Sequence, residues 1–164
     1  MSPHRSGRDF PPLLPFLAFL VAAPVSSQTL DTSAAVAESL VIGCISSEVI
    51  PDGCRSLLST GTVSMDSLVF ASTIGGIGPT TAWMNVNGVD TELRMVKSTR
   101  PKGKKYQGQK FREQFRAGNL IVTVDYVIAE PSSAFHGTVE CSAVIVVKKG
   151  STIQTLRAGG TRGC

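Results

Sequence analysis

The chain has 164 residues, 42% hydrophobic and 17% charged, which suits one ordinary domain and excludes a disordered or low-complexity chain. It carries 16 Lys and Arg against 12 Asp and Glu, for a net charge of +4. Two His and no closely spaced Cys pair argue against a zinc protein or any clustered metal site.

Taken from the N-terminus, Arg5 and Arg8 precede an uncharged apolar run from Pro11 to Ala23. At 13 residues the run is shorter than the roughly 20 needed to span a bilayer and has the length of a signal-peptide core. Val25 and Ser27 supply small residues ahead of a cleavage point. Residues 1–27 therefore read as a signal peptide, with a retained anchor as the competing reading, and residues 28–164 as a single exported domain, secreted or periplasmic. The four Cys (Cys44, Cys54, Cys141, Cys164) all fall in that domain, and an even count in an exported chain reads as two disulfides. The expected pairing is Cys44–Cys54 across the Pro51-Asp52-Gly53 turn, and Cys141–Cys164 tying the terminus to a strand.

The remaining elements are mostly strands. Residues 33–42 are helix or strand, and Ser67–Thr73 is a strand. Asn87-Gly88 is a type I′ turn pair, and its register sets Val86 against Val89, Met84 against Thr91 and Ala82 against Leu93. The opposite face then pairs Trp83 with Glu92 and Thr81 with Arg94. A second hairpin turns at Gly118-Asn119, setting Phe111 against Tyr126 and Phe115 against Val122 on one face. Arg112 against Asp125 and Gln114 against Thr123 fall on the other. A third joins Val139–Lys148 to Ser151–Ala158. Its Val144–Val147 run suggests cover on both faces, and Gly159-Gly160 reads as the start of a terminal loop. About seven or eight strands with closely spaced turns predict an all-β antiparallel sandwich or barrel, with a short N-terminal helix as an option.

Charge is concentrated. Residues 28–93 hold seven acids and one base, whereas residues 94–116 hold nine bases and one acid, Glu113. Within that segment Lys97, Arg100, Lys102, Lys104, Lys105, Tyr106, Lys110, Arg112 and Arg116 form a candidate basic patch with one ring for stacking. Such a patch fits an anionic polymer, a membrane surface or an acidic protein. The alternatives are a protein inhibitor or envelope assembly factor that docks by the 98–108 loop, and a hydrolase built on His136. Gly75-Gly76-Ile77-Gly78 lacks the Lys-Ser/Thr of a phosphate loop and no G-x-S-x-G elbow is present. The sequence therefore points to a binding protein without an enzyme activity and without a small-molecule cofactor.

Overall fold

The computed structural model describes residues 39–50, 52–62, 64–75, 79–102, 107–131 and 137–164. All lie within the second of two units into which the chain divides, Met1–Ala35 and Val36–Cys164. The signal-peptide segment and the option of a helix over 32–38 lie outside the described residues, as do Lys104, Lys105, Tyr106 and His136.

Nine strands follow in order: β1 (Ile42–Gly43), β2 (Arg55–Ser59), β3 (Leu68–Thr73), β4 (Thr81–Val86), β5 (Val89–Ser98), β6 (Lys110–Ala117), β7 (Leu120–Pro131), β8 (Val139–Lys149) and β9 (Thr152–Gly163). From β2 onward each strand pairs antiparallel with the next, and β9 returns to pair with β2. The product is an eight-stranded antiparallel closed barrel, with β1 as an extra strand on β4. Closure removes the exposed edges that an open sheet of these strands would offer.

The first two hairpins have the registers that their turns and alternation predict. Asn87 and Gly88 both take positive φ, as a type I′ turn requires. The outward pair Arg112–Asp125 closes as a bidentate ion pair, at 2.6 and 2.8 Å. Two features of the third hairpin differ from expectation. Ile145 and Val147 are buried while Val144 and Val146 are half-buried, because only the inner face of a barrel wall meets a core. Gly159-Gly160 belongs to β9, which runs on to Gly163. A Cβ at Gly160 would collide with the Leu57 carbonyl oxygen on β2, so the glycine allows the seam between first and last barrel strands to close.

The disulfide also differs. Cys54 and Cys164 are bonded across 110 residues, and neither expected pairing is present. The barrel topology gives the reason. Arg55 pairs with Gly163 at the β2–β9 seam, so the residues just outside that pair meet. Cys44 is exposed at the opposite end of the barrel, and Cys141 is buried on β8 opposite Gly160. Closing so long a loop contributes about 4–5 kcal/mol in the chain-entropy model. The bond is compatible with an oxidising, exported environment.

The two ends of the barrel differ in their connections. At the turn end lie the Asn87-Gly88, Gly118-Asn119 and Gly150-Ser151 turns, and the 40–50 segment crosses this end. Val41 exchanges hydrogen bonds with Asn87, donating to its Oδ1 and accepting from its N–H, both at 2.8 Å. The Ile45 N–H donates to the Leu68 carbonyl at 2.8 Å. Ile45 is buried, and Leu40 and Ile42 pack against the core. The β2–β3 connection also lies at the turn end, and at the loop end the connections join β3 to β4, β5 to β6 and β7 to β8. No helix among the described residues is long and apolar enough to cross a membrane.

Candidate functional site at the loop end of the barrel

Strand alternation forces polar groups into the barrel at the loop end. On β6, Phe111, Glu113 and Phe115 face inward while Lys110, Arg112 and Arg116 face out. On β9 the inward series ends at Arg162, opposite Ser56 on β2 and Val139 on β8. An isolated charge in such an interior would cost several kcal/mol. Here one acid and one base, from strands that are not neighbours, meet inside the barrel. Arg162 Nη1 donates to Glu113 Oε2 at 3.0 Å and Nη2 to Oε1 at 2.6 Å. Both side chains are only 1% exposed.

Two rings complete this centre. Phe111 and Tyr126 stack with centroids 4.7 Å apart and planes 15° from parallel. The Arg162 guanidinium carbon stands 5.1 Å from the Phe111 centroid and 4.9 Å from that of Tyr126, close enough for cation–π attraction. The Tyr126 hydroxyl accepts a long hydrogen bond, 3.4 Å, from Ser56 Oγ. Burial drives its pKa well above the usual tyrosine range, and the neighbouring Glu113 charge adds to the rise while Arg162 opposes it. Tyr126 is therefore a neutral phenol at physiological pH. Ser72, fully buried and opposite Ser56 on β3, has no hydrogen-bond partner for its hydroxyl among the described residues.

Above the ion pair lies a cavity of about 490 Å³ lined by Ser98, Arg100, Pro101, Lys102, Gln109, Phe111 and Arg162. Its size falls in the range of small-molecule sites, and barrel mouths are a common location for them. A β-bulge sets the rim. The β5–β6 register slips at Val96, so that Lys97 pairs with outward Gln114 and Ser98 with inward Glu113. Beyond it the Thr99 N–H donates to the Arg112 carbonyl at 2.8 Å, and the Arg100 N–H to Ser98 Oγ at 3.2 Å. These bonds hold Arg100 at the mouth. The result is a pocket with an aromatic wall, a floor of self-neutralised charge and a cationic rim.

No protein-family model, curated protein or solved structure matches this chain. The site is therefore read from its own chemistry. No group of His, Cys, Asp and Glu suited to a metal ion occurs among the described residues.

The basic segment expected to form one patch is divided. Arg100 and Lys102 line the mouth. Lys97, Lys110, Arg112 and Arg116 are exposed on the outer wall, and Arg112 is engaged by Asp125. Strand parity is the cause, because even-numbered residues of β6 cannot face the lumen that Phe111 and Glu113 occupy. Sequence reasoning did not find Arg162, Glu113, Phe111, Tyr126 or Gln109 as site residues. The signal that would have found them is the one acid of the basic segment, placed between two phenylalanines at inward parity. A carboxylate there needs a buried cation, and Arg162 is the base carried in by the last strand.

Proposed function

We propose that this protein is an exported binding protein, without an enzyme activity of its own, that takes a small planar aromatic acid into the loop end of its barrel. The observation that carries the reading is the cavity above the Glu113–Arg162 pair, with Phe111 as its apolar wall and Arg100 and Lys102 at its rim. A ring entering the mouth would lie against Phe111. The Arg162 charge is already matched by Glu113, so the floor favours a neutral hydrogen-bonding edge. An anionic group is then best met at the rim, where among the described residues the charged lining besides Arg162 is Arg100 and Lys102, both cations. This keeps the anionic ligand expected from the 94–116 segment, but with two of its cations at the mouth and the remaining partners inside the barrel. The signal-peptide reading and the disulfide agree with a secreted or periplasmic location.

The test is a calorimetric titration with naphthoate and with its uncharged counterpart naphthylmethanol. Naphthoate is expected to bind, more weakly at high ionic strength, and about tenfold more tightly than the alcohol, the scale of one favourable charge contact. Arg100→Ala combined with Lys102→Ala should bring the acid down to the level of the alcohol. Failure of both compounds to bind, or an acid affinity unchanged in the rim variant, would overturn the reading.

A further inference from the structure

The bases left on the outer wall are arranged in a row that the mouth does not use. Arg94 on β5 and Arg116 on β6 are direct cross-strand neighbours, both exposed. The same row continues through Ile121 on β7 to Lys148 on β8, and its outer members are Thr81 and Ile153. Strand spacing sets Arg94 and Arg116 about 5 Å apart and Lys148 about 10 Å farther on. Like charges placed directly opposite each other on a sheet are destabilising. Nothing along the row offsets this pair, because its other members are neutral or basic. Glu92, opposite Trp83, stands one row away, two residues along β5 from Arg94, and Asp125 is held by Arg112. Among the described residues Arg94, Arg116 and Lys148 make no ion pair.

We propose that this row is a docking surface for a linear anionic polysaccharide bearing carboxylate or sulfate groups. Three cations in a line across four strands match a flexible chain with charges every several ångströms, and the chain's anions would relieve the Arg94–Arg116 repulsion. The row itself carries no aromatic side chain, whereas proteins that hold single-stranded nucleic acid stack bases on aromatic platforms. That contrast favours a sugar polymer. Arg116 and Lys148 lie beside the tight turns, and Arg116 is six residues from Lys110, or about 20 Å along β6. A polymer bound there leaves the mouth open, so this surface does not depend on the mouth having a ligand.

The experiment is retention on immobilised polygalacturonate across a salt gradient, with single-stranded oligothymidylate and phosphatidylserine vesicles as free competitors. Arg116→Glu gives Arg94 an opposite-charge neighbour, so the barrel should keep its unfolding midpoint while the row keeps two cations, now offset by one acid. We expect elution at clearly lower salt and roughly tenfold weaker binding for Arg116→Glu, more so with Lys148→Glu added. Neither competitor should displace the protein at equal charge concentration. Unchanged retention of the folded double variant would overturn the proposal. So would displacement by oligothymidylate or by vesicles at equal charge concentration, which would make nucleic acid or a membrane the partner.

Discussion

The turn end and the loop end of this barrel are built from the same eight strands but solve different problems. Toward the turn end the interior is apolar: Leu68, Phe70, Met84, Val86, Phe115, Val122 and Val147 are buried, and Phe70 meets Phe115 edge-on with centroids 5.4 Å apart. Three short turns, the β2–β3 connection and the 40–50 segment lie at this end. Toward the loop end the same inward positions carry Ser56, Ser72, Glu113, Tyr126 and Arg162, and the Cys54–Cys164 bond pins this end. A buried ion pair adds little net stability compared with apolar residues of the same volume. Its concentration at the end that also holds the cavity is what a binding site would produce, and an apolar end needs no such device.

Breaking the ion pair from one side should give the largest effect on stability. Arg162→Met leaves a buried carboxylate alone and should cost about 3–5 kcal/mol, read as a fall in the urea midpoint. Phe115→Ala at the turn end should cost about as much, 3–5 kcal/mol, through its cavity. The two ends separate in the rescue, because adding Glu113→Leu should restore most of the Arg162→Met loss, whereas no polar change repairs Phe115→Ala. Cys54→Ser should cost about 2–5 kcal/mol, and in unreduced protein Cys44→Ser should leave the midpoint where it was.

Smaller effects sharpen the contrast. The raised pKa of Tyr126 means that its neutral form is favoured in the fold, so its contribution to stability is complete below the ordinary tyrosine pKa of about 10 and is lost as pH rises above it. In a Tyr106→Phe background, tyrosinate absorbance should therefore appear together with loss of the fold in an alkaline titration, and not before it. Ser72→Ala should leave stability unchanged or raise it by about 1 kcal/mol, because a buried hydroxyl without a partner is removed. Arg112→Ala, which breaks an exposed pair, should leave the midpoint within error.

How much of this was readable in advance varies with the range of the interaction. The Asn87-Gly88 and Gly118-Asn119 hairpins, including Arg112 against Asp125, follow from local turn chemistry and period-two alternation. Closure does not, because pairing of β2 with β9 joins segments about 100 residues apart and leaves no local trace beyond Gly160. The disulfide was misassigned for the same reason, since Cys54 and Cys164 become neighbours only when the seam closes. The loop-end site is intermediate. Inward parity for Glu113 was implied by Phe111 and Phe115, but its partner Arg162 lies 49 residues on in a stretch rich in glycine that resembles a loop. The density of bases over 94–116 drew attention to the right segment while concealing that strand parity divides it between the mouth and the outer wall.

On the proposed function, the polar loop end serves binding and not folding. The most direct test is titration of the double variant Glu113→Leu with Arg162→Met with naphthoate and with 6-hydroxy-2-naphthoate, whose hydroxyl lies on the far side of the ring from the carboxylate held at the rim. An apolar replacement of the whole pair should leave the barrel folded with most of its original stability. The unaltered chain should bind the hydroxy acid more tightly than naphthoate, and the folded double variant should lose that preference, because the cavity floor no longer offers a hydrogen-bonding edge. A folded double variant that keeps the preference for the hydroxy acid would contradict it.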